Sequence, residues 1–128
     1  MVKTWRLRFA SLKTPDDIFN LIVDGSKSIE TRPRNPEDGK RDYPNVQVGD
    51  KLLFCSVASG REILKEVTFV HPYKSVGEML ENEDYEKIFP GISSKENLSD
   101  FYEVAKKKWG KKYKYELEHY GIVAIGFK

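Results

Sequence analysis

The chain has 128 residues, 39% hydrophobic and 33% charged, with a net charge of +2. This suits one domain spanning residues 1–128 with a proper core and a well-solvated surface, and excludes a whole-molecule polyelectrolyte. No apolar run approaches the ~20 residues of a membrane span, and the opening Met1–Trp5 lacks a signal-peptide profile, so a cytoplasmic protein with no membrane partner is expected. The single Cys55 allows no internal disulfide and reads as a buried core thiol. Two distant histidines and one cysteine offer no metal-ligand spacing, so neither metal nor cofactor is expected.

Trp5, Leu7 and Phe9 alternate with Arg6 and Arg8, the period of a half-buried strand. A helix is predicted next, capped by Thr14, with Pro15 in its first turn and Asp16 and Asp17 at the positive end of its dipole. Ile18, Leu21 and Ile22 give its apolar stripe and Gly25 its end. Gly25-Ser26-Lys27-Ser28-Ile29-Glu30-Thr31-Arg32 then reads as a turn opening a strand. Period-two geometry puts Ser28, Glu30 and Arg32 on one face and Ile29 with Thr31 on the other. Lys27, Glu30 and Arg32 thus converge within about 15 Å of chain. Two readings stay open: an exposed strand with an ordinary ion pair, or a polar cleft built for a ligand.

Residues 33–46 form a polar loop with three prolines, placed to cover that strand, where Arg34, Lys40 and Arg41 would help hold an anion and Tyr43 would stack on a base. Val48-Gly49-Asp50 turns into a strand from Lys51 to Val57, and Gly60 precedes another from Arg61 to Val70. Ser75 with Glu78, and Ser93 with Glu96, are helix-capping signals. The second helix carries Leu98, Phe101, Tyr102, Ala105 and Trp109 on one side and ends at Gly110, which assigns Trp109 to the core. Phe89-Pro90-Gly91 reads as a packed turn closing one end of the fold. Ile122-Val123-Ala124-Ile125, apolar on both faces, reads as a central strand. Charge is unevenly spread. Glu78 to Glu86 is acidic throughout and offers a face for a protein partner, whereas the segment from Lys106 to Tyr115 packs lysines among aromatics. Lys108, Lys111 and Lys112 would form a phosphate track there, with Trp109, Tyr113 or Tyr115 available to stack on bases, or simply a solvated helix end.

Gly-x-Lys-x-x-Glu-x-Arg between a helix and a strand resembles the signature of the ASCH domain, a small β-barrel type related to RNA-binding PUA domains. Val48–Phe54, Glu86–Gly91 and Tyr120–Phe127 extend the resemblance in the same order over roughly residues 4 to 127. It implies an α+β fold: a PUA-like mixed β-barrel of five to six strands with two to four flanking helices. It also implies an RNA or nucleotide-like ligand held by Lys27, Ser28, Glu30, Arg32, Arg34, Tyr43, Lys108, Lys111 and Lys112. Some ASCH proteins remove the acetyl group from acetylated cytidine with a lysine, a threonine and a glutamate. Lys27 matches the lysine, but the threonine position is Glu30, which cannot act as an alkoxide nucleophile, and Thr31 lies on the opposite strand face. The third group finds only the weak candidates Glu83 and Glu86. Another branch is reported to cut RNA, which suits acid–base work by Lys27 and Glu30. Binding is therefore the leading expectation, with a hydrolase the alternative.

Overall fold

The computed structural model describes residues 2–37 and 45–128. Its elements run β1 (Thr4–Phe9), α1 (Asp17–Val23), β2 (Ile29–Pro33), β3 (Lys51–Ser56), β4 (Glu62–Tyr73), α2 (Val76–Asn82), α3 (Tyr85–Ile88), α4 (Lys95–Lys108), α5 (Lys111–His119) and β5 (Ile122–Phe127). The five strands form one sheet in the order β1-β3-β4-β5-β2, curled into a half-barrel with helices beside it. β1 runs parallel to β3, and the other neighbours are antiparallel. Among the described residues, no helix is long and apolar enough to cross a membrane.

β5 explains the layering. Every residue of it is buried, because it pairs with β4 on one side and β2 on the other while both its faces meet a core. Val123, Ile125 and Phe127 join Trp5, Leu7, Ile22 and Phe54 inside the half-barrel. Ile122 and Ala124 pack instead with Ile29, Met79, Leu98 and Tyr102 under the helices. Gly126 is required in this strand: a Cβ there would lie 2.1 Å from the Phe69 ring.

Local details depart from the sequence reading at several points. Thr14 does not cap α1. Asp16 takes the N-cap position in a left-handed conformation (φ 62°), and its carboxylate accepts from the Ser56 and Ser59 hydroxyls. The Asp17 carboxylate instead binds the loop before the helix, accepting from the backbone N–H of Leu12 at 3.0 Å and of Lys13 at 2.8 Å. Ser75 does cap α2, whereas α4 is capped by Ser94 rather than Ser93, through Asn97 N–H at 3.1 Å. β4 runs on to Tyr73, and its register shifts between Val67 and Phe69 as it leaves β3 for β5. Among the described residues there are five helices, against the two to four expected: Gly110 (φ 96°) breaks the chain only briefly, and the lysine–tyrosine stretch after it forms α5. Cys55 is buried as expected, and burial raises its thiol pKa.

One buried carboxylate fastens the edge strand β1. Asp50 accepts from the Lys3 N–H, the Trp5 indole N–H and the Gln47 N–H, each at 3.0 Å. Burial opposes its charge, but these donors prevail and hold its carboxyl below the usual range. Replacing Asp50 by Ala orphans three donors at once and is expected to cost about 3 kcal/mol, read as a lowered urea midpoint. An unchanged midpoint would show that water replaces the carboxylate without loss.

Candidate functional site

β2 is an edge strand, and its pairing decides where its charges go. Glu30 lies opposite Ile125 and Arg32 opposite Val123, so both side chains point to the inner side of the half-barrel. Ile29 and Thr31 face the helices, where the Thr31 and Tyr102 hydroxyls meet at 2.6 Å. The alternation read from sequence is correct. The charged face, however, is not an exposed strand surface. Side-chain exposure is 9% for Lys27, 12% for Glu30 and 22% for Arg32.

Burial forces these groups to satisfy one another. The Lys27 ammonium donates to the Ile29 carbonyl at 2.8 Å and the Ile88 carbonyl at 2.6 Å, and its Nζ stands 3.8 Å from Glu30 Oε1. Glu30 Oε1 accepts from the Thr31 N–H at 2.9 Å, and Oε2 pairs with Arg32 at 3.1 Å. Arg32 also donates to the Arg8 carbonyl at 3.2 Å, reaching across from one sheet edge to the other. Burial raises the Glu30 pKa, but the charges of Arg32 and Lys27 outweigh it and leave the carboxyl below its ordinary value. Burial lowers the Lys27 pKa, an effect the Glu30 charge opposes. With two protons on carbonyls and the third side facing a carboxylate, the amine is held as an ammonium, since a lone pair there would face Glu30.

A cavity of about 540 Å³ opens over this cluster. Lys27, Glu30, Thr31 and Arg32 form its floor. Arg8 to Leu12, with Ile18, form one wall, and the other is aromatic, built from Phe89, Phe101, Tyr102, Trp109 and Tyr113. Phe101 meets Trp109 edge to face at 6.1 Å, and Trp109 meets Tyr113 at 5.0 Å. Burial pushes the Tyr113 pKa up to about 12. Lys108, Lys112 and Glu116 add charged groups to the lining from α4 and α5.

The predicted residues divide accordingly. Lys27, Glu30, Arg32, Lys108 and Lys112 share the cavity. Ser28 lies off its wall, engaged through its backbone with Lys87 and Phe127. Arg34 is also off the wall, its N–H bonded to the Gly121 carbonyl at 3.0 Å. Lys111 faces a separate shallow groove on α5. Tyr43, Lys40 and Arg41 lie outside the described residues. Trp109 is not core: it is 51% exposed at the cavity wall. Glu83 is away from the cavity, its carboxylate bound to His71 at 2.7 Å and to the Tyr73 hydroxyl. Sequence reading did not place Arg8, Phe89 or Phe101 at the site, because nothing in a linear pattern marks which residues will frame an open seam.

The fold is shared with solved structures. The crystal structure of hypothetical protein PH0355 matches at 27% identity with a TM-score of 0.68, covering 98% of this chain and 97% of that one. The solution structure of PF0455 from Pyrococcus furiosus matches at 24% identity with a TM-score of 0.62, covering 98% and 96%. Neither name states an activity. No protein-family model and no curated protein matches the chain.

The buried cluster has direct consequences for stability. Lys27→Ala removes the donor to two carbonyls and the partner of a buried carboxylate, and about 3 kcal/mol of stability should go with it, measured by urea unfolding. Glu30 favours its ionised form in the fold, so its contribution is present above the unfolded value of about 4.3 and lost as pH falls through the lower folded value. Glu30→Gln should therefore be less stable at pH 7 and flatten the acid limb of the stability–pH curve. An acid limb identical to wild type would mean that Glu30 carries no such linkage.

Proposed function

We propose that this chain is a small ASCH-type, PUA-like domain of the cytoplasm that binds single-stranded RNA or a nucleotide-like ligand in the seam cavity. One observation carries the reading: a guanidinium and an ionised carboxylate, fixed in place, sit on a cavity floor beside a wall of aromatic rings. Arg32 offers charge-assisted donors to a phosphate, and Glu30 offers acceptors to a base amino group or a sugar hydroxyl. Phe101, Trp109 and Tyr113 supply the apolar wall a base needs. Lys108, Lys112 and Arg8 give the mouth the positive charge that draws in an anion.

A second reading, hydrolysis of an acetylated nucleoside or of RNA, draws on the Lys27 amine 3.8 Å from Glu30, a proton donor beside a carboxylate. It stands behind binding because two of the three Lys27 protons are committed to backbone carbonyls. Incubation with acetylated cytidine and with labelled RNA tests it, and identical product traces from wild type and Glu30→Gln would end it. Docking of a protein through the 78–86 segment has less support, since Glu83 is only 6% exposed and engaged with His71.

Binding of single-stranded RNA is expected to weaken steeply with rising salt, as phosphate contacts release counterions. Arg32→Ala should cost about 1.5–3 kcal/mol of affinity, measured by fluorescence anisotropy at fixed ionic strength. Salt-independent affinity, or an Arg32→Ala variant that binds like wild type, would count against the cavity as the site.

A further inference from the structure

We infer that the outer face of α5 is a second stacking subsite, so that the ligand is a strand of several nucleotides rather than a mononucleotide. This rests on the proposed function of the cavity and extends it. Lys112, Tyr113 and Glu116 of α5 line the cavity, while Lys111, Lys114, Tyr115, Glu118 and His119 line a separate shallow groove of about 390 Å³. The groove residues recur at the three- and four-residue spacing that makes one helix face.

Two features of that face match a nucleotide. Tyr115 is 58% exposed, an unusual place for a large ring. It is backed by a stack: His119 lies parallel to it at 5.0 Å and 12°, and Tyr120 braces both rings edge-on, at 6.1 Å from Tyr115 and 4.5 Å from His119. A ring held from behind loses little freedom when a base lands on it, and every base has a face to offer. Lys111 and Lys114 stand beside it with the charge a phosphate needs, Lys114 being 3.9 Å from Glu118 in an exposed pair of little strength.

Continuity with the cavity selects a strand. Lys112 at the cavity rim and Tyr115 on the groove are three residues apart, which places them as neighbours, about 5–6 Å between Cβ atoms. A backbone leaving the cavity over Lys112 thus reaches the groove in about one nucleotide step. Lysines with an exposed ring favour phosphates and bases over an apolar peptide segment.

The test compares a two-nucleotide RNA, which fills the cavity alone, with a five-nucleotide RNA, both of mixed sequence, by isothermal titration. Wild type should bind the longer strand at least about tenfold more tightly. Tyr115→Ala, and separately Lys111→Ala with Lys114→Ala, should weaken the longer strand about five- to tenfold and leave the shorter one unchanged. Tyr115→Phe should retain wild-type affinity, whereas Arg32→Ala should weaken both. If the Tyr115 and lysine variants bind the longer strand like wild type while Arg32→Ala loses both, the groove is not a subsite although the cavity reading stands. Equal losses for both lengths in the α5 variants also overturn the subsite, and a wild type that binds neither RNA overturns the cavity reading and this one together.

Discussion

The Lys27 ammonium is the contact on which the site depends. It fills the gap between the start of β2 and the end of α3, capping the last helical carbonyl, Ile88, as it holds that of Ile29. A four-residue helix has little stability of its own. Without that donor α3 would leave a buried acceptor unpaired, just before Phe89 enters the cavity wall. The same amine faces Glu30 and, with the closer Arg32, makes it possible to bury a carboxylate there. Fold and site use one group for both purposes.

The place of the cavity follows from topology. β1 and β2 are the two ends of the sheet, and a half-barrel leaves a seam between them. Open edges expose backbone groups that seek partners. Here the Arg8 carbonyl on β1 is met by the Arg32 side chain from β2, not by a strand. Side chains thus bridge the interval that a further strand would close, and the remaining volume is the cavity. The helices roof it because β5 is apolar on both faces and must be covered on the side away from the half-barrel.

Much of this was legible in the sequence, for physical reasons that differ by element. The period-two alternation from Ser28 to Arg32 correctly separated Glu30 and Arg32 from Thr31, and the continuous apolar run from Ile122 correctly marked a strand with two buried faces. Burial of Glu30 was not legible, since it depends on Ile125 being its cross-strand neighbour, a contact 95 positions away in the chain and invisible locally. α5 was missed because Gly110 reads as a terminator and the stretch after it carries few apolar residues, with Leu117 alone buried. Asp16 rather than Thr14 takes the N-cap position of α1, and this was not legible because its side-chain partners, Ser56 and Ser59, come from a distant turn. Trp109 was read as core for a related cause: helical spacing tells which side of α4 is apolar, not whether that side meets protein or open space.

Electrostatics decides what kind of guest this cavity suits. Two cations and one carboxylate form the floor, and among the described residues of the mouth Arg8, Lys108 and Lys112 outnumber Glu116. Among the described lining residues cations thus outnumber carboxylates in a partly desolvated space, where each charge interacts more strongly than in water. A neutral apolar molecule would bury these charges for no return, and a cation would add repulsion. An anion offsets the excess, but a simple anion leaves the Glu30 acceptors and the aromatic wall unused. The proposed nucleotide-like guest would answer all three features, since it joins an anionic end, hydrogen-bond donors and a flat apolar face in one molecule.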